Sequence, residues 1–361
     1  MLMNPVQNFR GRRLLFAVAI GWVAQSAAPS VAVADEAAVT TILGGLQTPC
    51  AVAVRPEGGQ PSEVFVADRG AGRVVRVVAN RPDVADEVIT GFPINASDSD
   101  KPNSPGIQSL FFLDHLRLVV AGGDAGGKPF IRLYELQDLE GVLRFDEHKQ
   151  TADPPADDDH ATNSIRSFHD LARTRPNDRV ADALLMAAAG EHGPAGLWKV
   201  AVRANTIGEI APIDAAKESE HVAAIGGIAI ANAGYIVIAA DAESGAEHHA
   251  ALKFLNPVDG RVALQIQTEL PNIVGLAYSP TTGNLYAANY APENKSADGI
   301  YRLDDAGKSG KPACRATKIA ATPRPTALAF GPDGTLYVTA LGRPDEKNHN
   351  SGALLKVEGG L

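Results

Sequence analysis

The sequence predicts an all-β fold, a six-bladed β-propeller of four-stranded antiparallel blades in which an N-terminal strand closes the last blade. Three observations carry this. A basic residue sits between apolar neighbours six times, at Val75-Arg76-Val77, Ile131-Arg132-Leu133, Trp198-Lys199-Val200, Leu252-Lys253-Phe254, Tyr301-Arg302-Leu303 and Leu355-Lys356-Val357. The copies recur at roughly 50 to 65 residues, the period of propeller blades rather than of helical solenoids. Ahead of each copy stand two further short apolar segments separated by turn-forming residues, as in Gly331-Pro332-Asp333-Gly334.

Each repeat then reads in the same order. The innermost strand is built of small residues: Ala51-Val52-Ala53-Val54, Leu110-Phe111-Phe112, Ile228-Ala229-Ile230, Gly275-Leu276-Ala277-Tyr278 and Ala327-Leu328-Ala329-Phe330. Ala and Gly suit the crowded axis on which blades converge. The second strand is β-branched or aromatic, as in Val64-Phe65-Val66, Tyr235-Ile236-Val237-Ile238 and Leu336-Tyr337-Val338. The basic strand is third. Its apolar side chains are expected against the neighbouring blade, and its Arg or Lys stem along the outer surface with the charge in water. A more polar fourth strand closes the blade, at Glu87-Val88-Ile89-Thr90, Val262-Ala263-Leu264-Gln265-Ile266 and Ala316-Thr317-Lys318-Ile319. No such segment follows Lys356-Val357. Val39-Thr40-Thr41-Ile42 resembles one, so it is expected as the outer strand of blade six.

Blade three is the least regular copy. Its inner strand is expected near Phe168 to Ala172, with Arg175-Pro176-Asn177-Asp178 as the turn, and Val180 to Leu185 is open to a short helix. Before it, Asp153-Pro154-Pro155-Ala156-Asp157-Asp158-Asp159-His160 is acidic and broken by proline, and reads as a solvated loop.

Val66-Ala67-Asp68-Arg69-Gly70-Ala71-Gly72-Arg73-Val74 resembles the NHL-repeat signature, and the stretches 325–338 and 298–303 look like blades of the same regucalcin-like, gluconolactonase superfamily. The resemblance implies the six-bladed fold over nearly all of the chain after its leader. It implies little about chemistry, because propellers host unrelated activities. The metal ligands of regucalcin-like lactonases have poor counterparts. Their Glu-Gly-Pro is replaced by Thr48-Pro49-Cys50, and Val274 stands in the slot of their Asn, with Asn272 two residues early.

The first residues read as an export signal. Arg10, Arg12 and Arg13 precede an apolar run from Leu14 to Val23, and Ala32-Val33-Ala34 suits cleavage before Asp35. Residues 1–34 are thus expected to be a signal peptide and 35–361 the propeller domain, periplasmic or extracellular, with no membrane attachment after cleavage. Arg12-Arg13-Leu14-Leu15-Phe16 loosely resembles a twin-arginine signal but lacks the usual preceding polar residue, so both export routes stay open. Losing three arginines takes the formal charge from −9 to about −12. No basic stripe remains for nucleic acid. The two cysteines, Cys50 and Cys314, fall on inner and outer strands of different blades and are expected to be free thiols.

Residues capable of chemistry gather in the loops of one face. The second strands exit through Asp68-Arg69, Asp124, Glu191, Asp241 and Asn289, which could either accept backbone N–H bonds from nearby turns or face a ligand. His192, His248, His249 and His349 map to loops between strands two and three, and His169 and His221 to the connections leading into blades three and four. Imidazoles converging from separate blades could bind a divalent transition metal or shuttle protons, but no HxH or HxxxH pair fixes their geometry, so each could equally be a solvated loop residue. No CxxCH haem site, Gly-rich phosphate loop or GxSxG elbow occurs, so neither haem nor nucleotide is expected. Two readings follow: a binding module for a small polar molecule or a protein partner, or a metal-dependent hydrolase or lactonase using the His and Asp residues.

Overall fold

Alternating apolar residues and tight turns give six sheets, each built on four antiparallel strands. The computed structural model describes residues 37–56, 62–94, 106–124, 126, 128–137, 141–154, 165–177, 179–190, 196–213, 225–240, 249–291, 294–308, 311–342, 351–359 and 361. The expected leader and its cleavage site lie outside them. After β1 (Ala38–Leu46), blade one holds β2 (Pro49–Val54), β3 (Glu63–Asp68), β4 (Arg73–Val78) and β5 (Ala85–Thr90). Blade two holds β6 (Gly106–Phe112), β7 (Arg117–Gly123), β8 (Pro129–Glu135) and β10 (Gln150–Ala152), with β9 (Leu143–Arg144) between the last two in sequence. Blade three is β11 (Ile165–Arg173), β12 (Ala183–Gly190), β13 (Gly196–Arg203) and β14 (Thr206–Pro212). Blade four is β15 (Ile225–Ile230), β16 (Ile236–Ala240), β17 (Ala251–Leu255) and β18 (Val262–Gln267). Blade five is β19 (Ile273–Tyr278), β20 (Leu285–Asn289), β21 (Gly299–Asp305) and β22 (Cys314–Ala320), and blade six β23 (Pro325–Phe330), β24 (Leu336–Ala340) and β25 (Gly352–Glu358).

The closing strand is where the residues placed it. β1 pairs antiparallel with β25, Val39 opposite Val357 and Thr41 opposite Leu355, and completes blade six as its outer strand. Cys50 on β2 and Cys314 on β22 are both free.

The core is divided among the seams between blades. Because side chains alternate along a strand, each blade buries both faces. Val237 and Ala239 of β16 pack towards blade five, while Ile236 and Ile238 pack towards blade three. Tyr337 of β24 joins the seam with blade one, while Leu336 and Val338 join the seam with blade five.

Three features differ from the expectations. The segment open to a helix is strand throughout its apolar part: Ala183–Gly190 lies between β11 and β13, so pairing on both edges overrides the helical preference of Ala, Leu and Met. The basic residues of the third strands are not simply solvated. Arg76 bridges Glu63 and Asp86, Arg302 pairs with Asp304, and Lys356 with Glu358. In blade two the excursion between β8 and β10 crosses to blade one, where β9 adds in parallel to β5. It carries Phe145 onto Phe92 and Phe130, and the Arg132 guanidinium lies 3.3 Å over the Phe145 ring while donating to its carbonyl. An aromatic strap thus replaces water around this cation.

Candidate functional site

All six innermost strands depart from ladder register at the same place. The shift falls between Pro49 and Ala51, Ile107 and Ser109, Ile165 and Ser167, Ile225 and Gly227, Ile273 and Gly275, and Pro325 and Ala327. The extra residues are Cys50, Gln108, Arg166, Gly226, Val274 and Thr326. A bulge re-aims the side chain it carries and leaves a neighbouring backbone group without a ladder partner. In blades one, two and four the residue before the bulge offers its carbonyl to the preceding blade. Thr326 Oγ1 of blade six donates to the Pro49 carbonyl of blade one at 2.8 Å, and Cys50 Sγ to the Ile107 carbonyl of blade two at 3.1 Å. His169 Nε2 of blade three donates to the Ile225 carbonyl of blade four at 2.7 Å.

These strands enclose a cavity of about 810 Å³. Its wall is largely apolar, with Leu110, Phe112, Leu276, Tyr278, Leu328 and Phe330 among the lining residues. The polar side chains are fewer, among them Arg69, Gln108, Cys50, His169, Asp170, Asn272, Tyr290 and Thr326. Arg69 follows β3 in a short 3-10 turn, is 6% exposed, and donates from Nη1 to Gln108 Oε1 at 3.1 Å. Burial pushes the Cys50 thiol up to about 11, against the pull of the Arg69 charge, so Cys50 stays protonated and serves as a donor.

His169 and Asp170 are consecutive residues of one strand, yet both line the cavity. A second register shift in β11, between His169 and Leu171, makes this possible, with Asp170 at φ +48°. The carbonyl of Ile225 can only accept, so His169 carries its proton on Nε2 and its lone pair on Nδ1. Burial lowers the His169 pKa, so the ring is neutral. The Asp170 carboxylate accepts from Leu171 N at 2.9 Å and, across the seam, from Ile228 N at 2.6 Å. Burial outweighs both bonds and pushes its pKa up to about 7.

A pH-dependent stability follows. Asp170 titrates near 3.8 when unfolded and near 7 when folded, so the native state holds the extra proton between those values. The contribution of this group is therefore fully present below about pH 4, declines as pH rises towards about 7, and levels off above. His169 acts in the opposite sense, so the comparison must isolate Asp170. The melting advantage of the parent over Asp170→Asn is expected to be larger at about pH 5 than at about pH 8. An advantage that stays constant over this range would show that Asp170 is ionised throughout.

The sequence-expected site residues separate into groups. Arg69 and His169 line the cavity, and His169 does so from within β11 rather than from a connecting loop, because the strand begins at Ile165, ahead of the expected start near Phe168. Asp68 is fully buried, accepting from Gln47 N, Thr48 N and Arg73, and thereby ties the link between β1 and β2 to blade one. Asn289 does the same in blade five, accepting from Asn272 N and donating to the Ala297 carbonyl. Asp124 closes its own turn by accepting from Gly126 N and Lys128 N. His249 is half-buried just before β17. Glu191, Asp241, His192, His221, His248 and His349 lie outside the described residues. Among the described residues no group of three His, Cys, Asp or Glu side chains is placed to hold a metal ion. Sequence reasoning missed Asp170 and Gln108. A polar residue inside the apolar run Gly106–Phe112 was the available signal for the latter.

No protein-family profile matches the chain, and no curated protein matches it in sequence. Among solved structures it is similar to a luciferin-regenerating enzyme, at 15% identity and a TM-score of 0.54, over 90% of this chain and 95% of that one. A WD40 β-propeller domain aligns at 10% identity and a TM-score of 0.49, over 88% of this chain and 95% of that one. At 15% identity the likeness to the first is one of fold alone, and with the six sheets it makes the chain a six-bladed β-propeller.

Proposed function

We propose that the protein is an exported binding module that takes a small polar ligand bearing an anionic group into its central cavity. The carrying observation is the cavity itself. Its volume of about 810 Å³ lies within the range of small-molecule sites, and an apolar wall with a few convergent polar groups is their usual chemistry. Arg69, buried and held by Gln108, supplies a fixed cationic donor at one side. The apolar wall would cover the body of the ligand.

Calorimetric titration with a panel of small carboxylic acids, their lactones and neutral alcohol analogues tests this reading. The acids are expected to bind saturably. Arg69→Gln should weaken them about tenfold to a hundredfold, the worth of a hydrogen bond to a charged group, while hardly changing the neutral analogues. Equal loss for acids and alcohols would overturn the anionic assignment, and saturable heat from none of them would overturn the cavity reading.

A hydrolase is the second reading, favoured by the His169 lone pair beside the near-neutral Asp170 in the same cavity. Turnover of a lactone that falls on His169→Gln while its binding persists would move the assignment to an enzyme. Export is tested separately: secreted protein beginning at Asp35 by mass spectrometry supports it, and soluble protein retaining Met1 would not.

A further inference from the structure

The outer edges of the six blades are not equally protected. Edge strands offer unpaired N–H and C=O groups, and proteins guard them with charges, bulges, short length or a covering segment. β5 carries Asp86 and Glu87 and is covered by β9. β10 has only three residues, β14 contains Glu209 and ends in proline, and β22 contains Arg315 and Lys318. β1 breaks register twice around Gly44 and Gly45. β18 differs. Val262–Gln267 has no charged residue, glycine or proline, its one bulge lies at its start, and among the described residues nothing pairs with its outer side.

We propose that this edge pairs antiparallel with the same edge of a second copy of the chain. The hydrogen-bond phase of the strand makes the proposal specific. Thr268 N donates to the Ala250 carbonyl of the link before β17, so Ile266 and Leu264 also turn their backbone groups inwards. Gln265 and Gln267 therefore present their N–H and C=O groups outwards. Of the two-fold registers that match these outward groups, the two with Gln265 opposite its own copy or opposite Gln267 bring Arg261 nearest to Glu269 of the other copy. In both registers the end of one strand that carries Arg261 lies at the end of the other that carries Glu269. Both residues are exposed, so two opposite-charge pairs would flank an uncharged centre. Val258 and Val262, 59% and 40% exposed, stand beside this edge. Two short strands bury less than a standard interface, so the association belongs in the micromolar range.

Sedimentation equilibrium of the full chain, followed to about 100 µM, measures it. The parent is expected to dimerise. Gln265→Pro should abolish the dimer and leave monomer melting nearly unchanged, because proline is tolerated where a strand N–H faces solvent. Arg261→Glu and Glu269→Arg should each weaken association about tenfold, and the double exchange should restore it. The single reversals act on exposed side chains and keep the test valid should the proline variant misfold. A parent that stays monomeric, or a double exchange no better than the single ones, would overturn the proposal.

Discussion

Deleting residues 37–46 is expected to unfold the protein or leave an aggregating, open ring. The segment is β1, and it supplies the outer ladder of blade six. It also buries Ile42, Leu43 and Leu46, at 2%, 8% and 1% exposure, in the seam that joins blade six to blade one. Losing a large buried aliphatic side chain costs about 2–5 kcal/mol. Three such losses rival the whole stability of a typical domain, about 5–15 kcal/mol. The five remaining seams keep their packing, so the damage should concentrate where the chain ends meet. Thermal melting by circular dichroism reads the result. A deletion variant that melts like the parent would show that the ring holds without its closing strand.

The second large effect is expected from one methyl group. Gly226 is the bulged residue of blade four, and a Cβ there would stand 1.8 Å from the Ile273 carbonyl oxygen of blade five. Cys50 and Thr326 occupy the same place in their blades and reach the corresponding carbonyl by hydrogen bonding. At the seam between blades four and five the inner strands are too close for any side chain. Gly226→Ala therefore forces two strands apart at the axis, and overpacking of this kind costs about 1–3 kcal/mol, with more where backbone must move. The melting temperature should fall by several degrees, about 2–4 °C for each kcal/mol in a domain of this size class. Gly44→Ala is the control, since a Cβ there meets nothing within 4 Å. Equal melting of the two variants would contradict the close approach.

The blades were legible because period-two alternation survives in short strands, and the six basic third strands mark them. Even the closing strand could be placed, since Val39 to Ile42 has the composition of an outer edge. The bulges were not legible. One added residue in a run such as Pro49–Val54 looks like ordinary alternation, yet it determines which side chains reach the axis. The same limit hid Asp170, which lies inside the expected strand Phe168 to Ala172 but reaches the cavity only through a second register shift. The strap of β9 was missed because two residues carry no periodicity, and its anchoring through Phe145 is long-range. Among the site residues, Asp68 and Asn289 look in sequence like ligand candidates. Their backbone partners lie about 20 residues away, and only folding brings them together.

The carbonyl ahead of the bulge, repeated in four blades, bears on how such a ring can change over time. Three blades present the same acceptor to a thiol, a hydroxyl and an imidazole, and a fourth presents it to a glycine. The acceptor is common to these repeats, while the donor differs: Cys50 and Thr326 are the bulged residues themselves, and His169 lies three residues beyond its bulge. Substitution there can exchange one reactive group for another beside the cavity without rebuilding a blade. Repeats that began alike could thus acquire unlike chemistry at the axis first, long before their outer strands diverged in architecture.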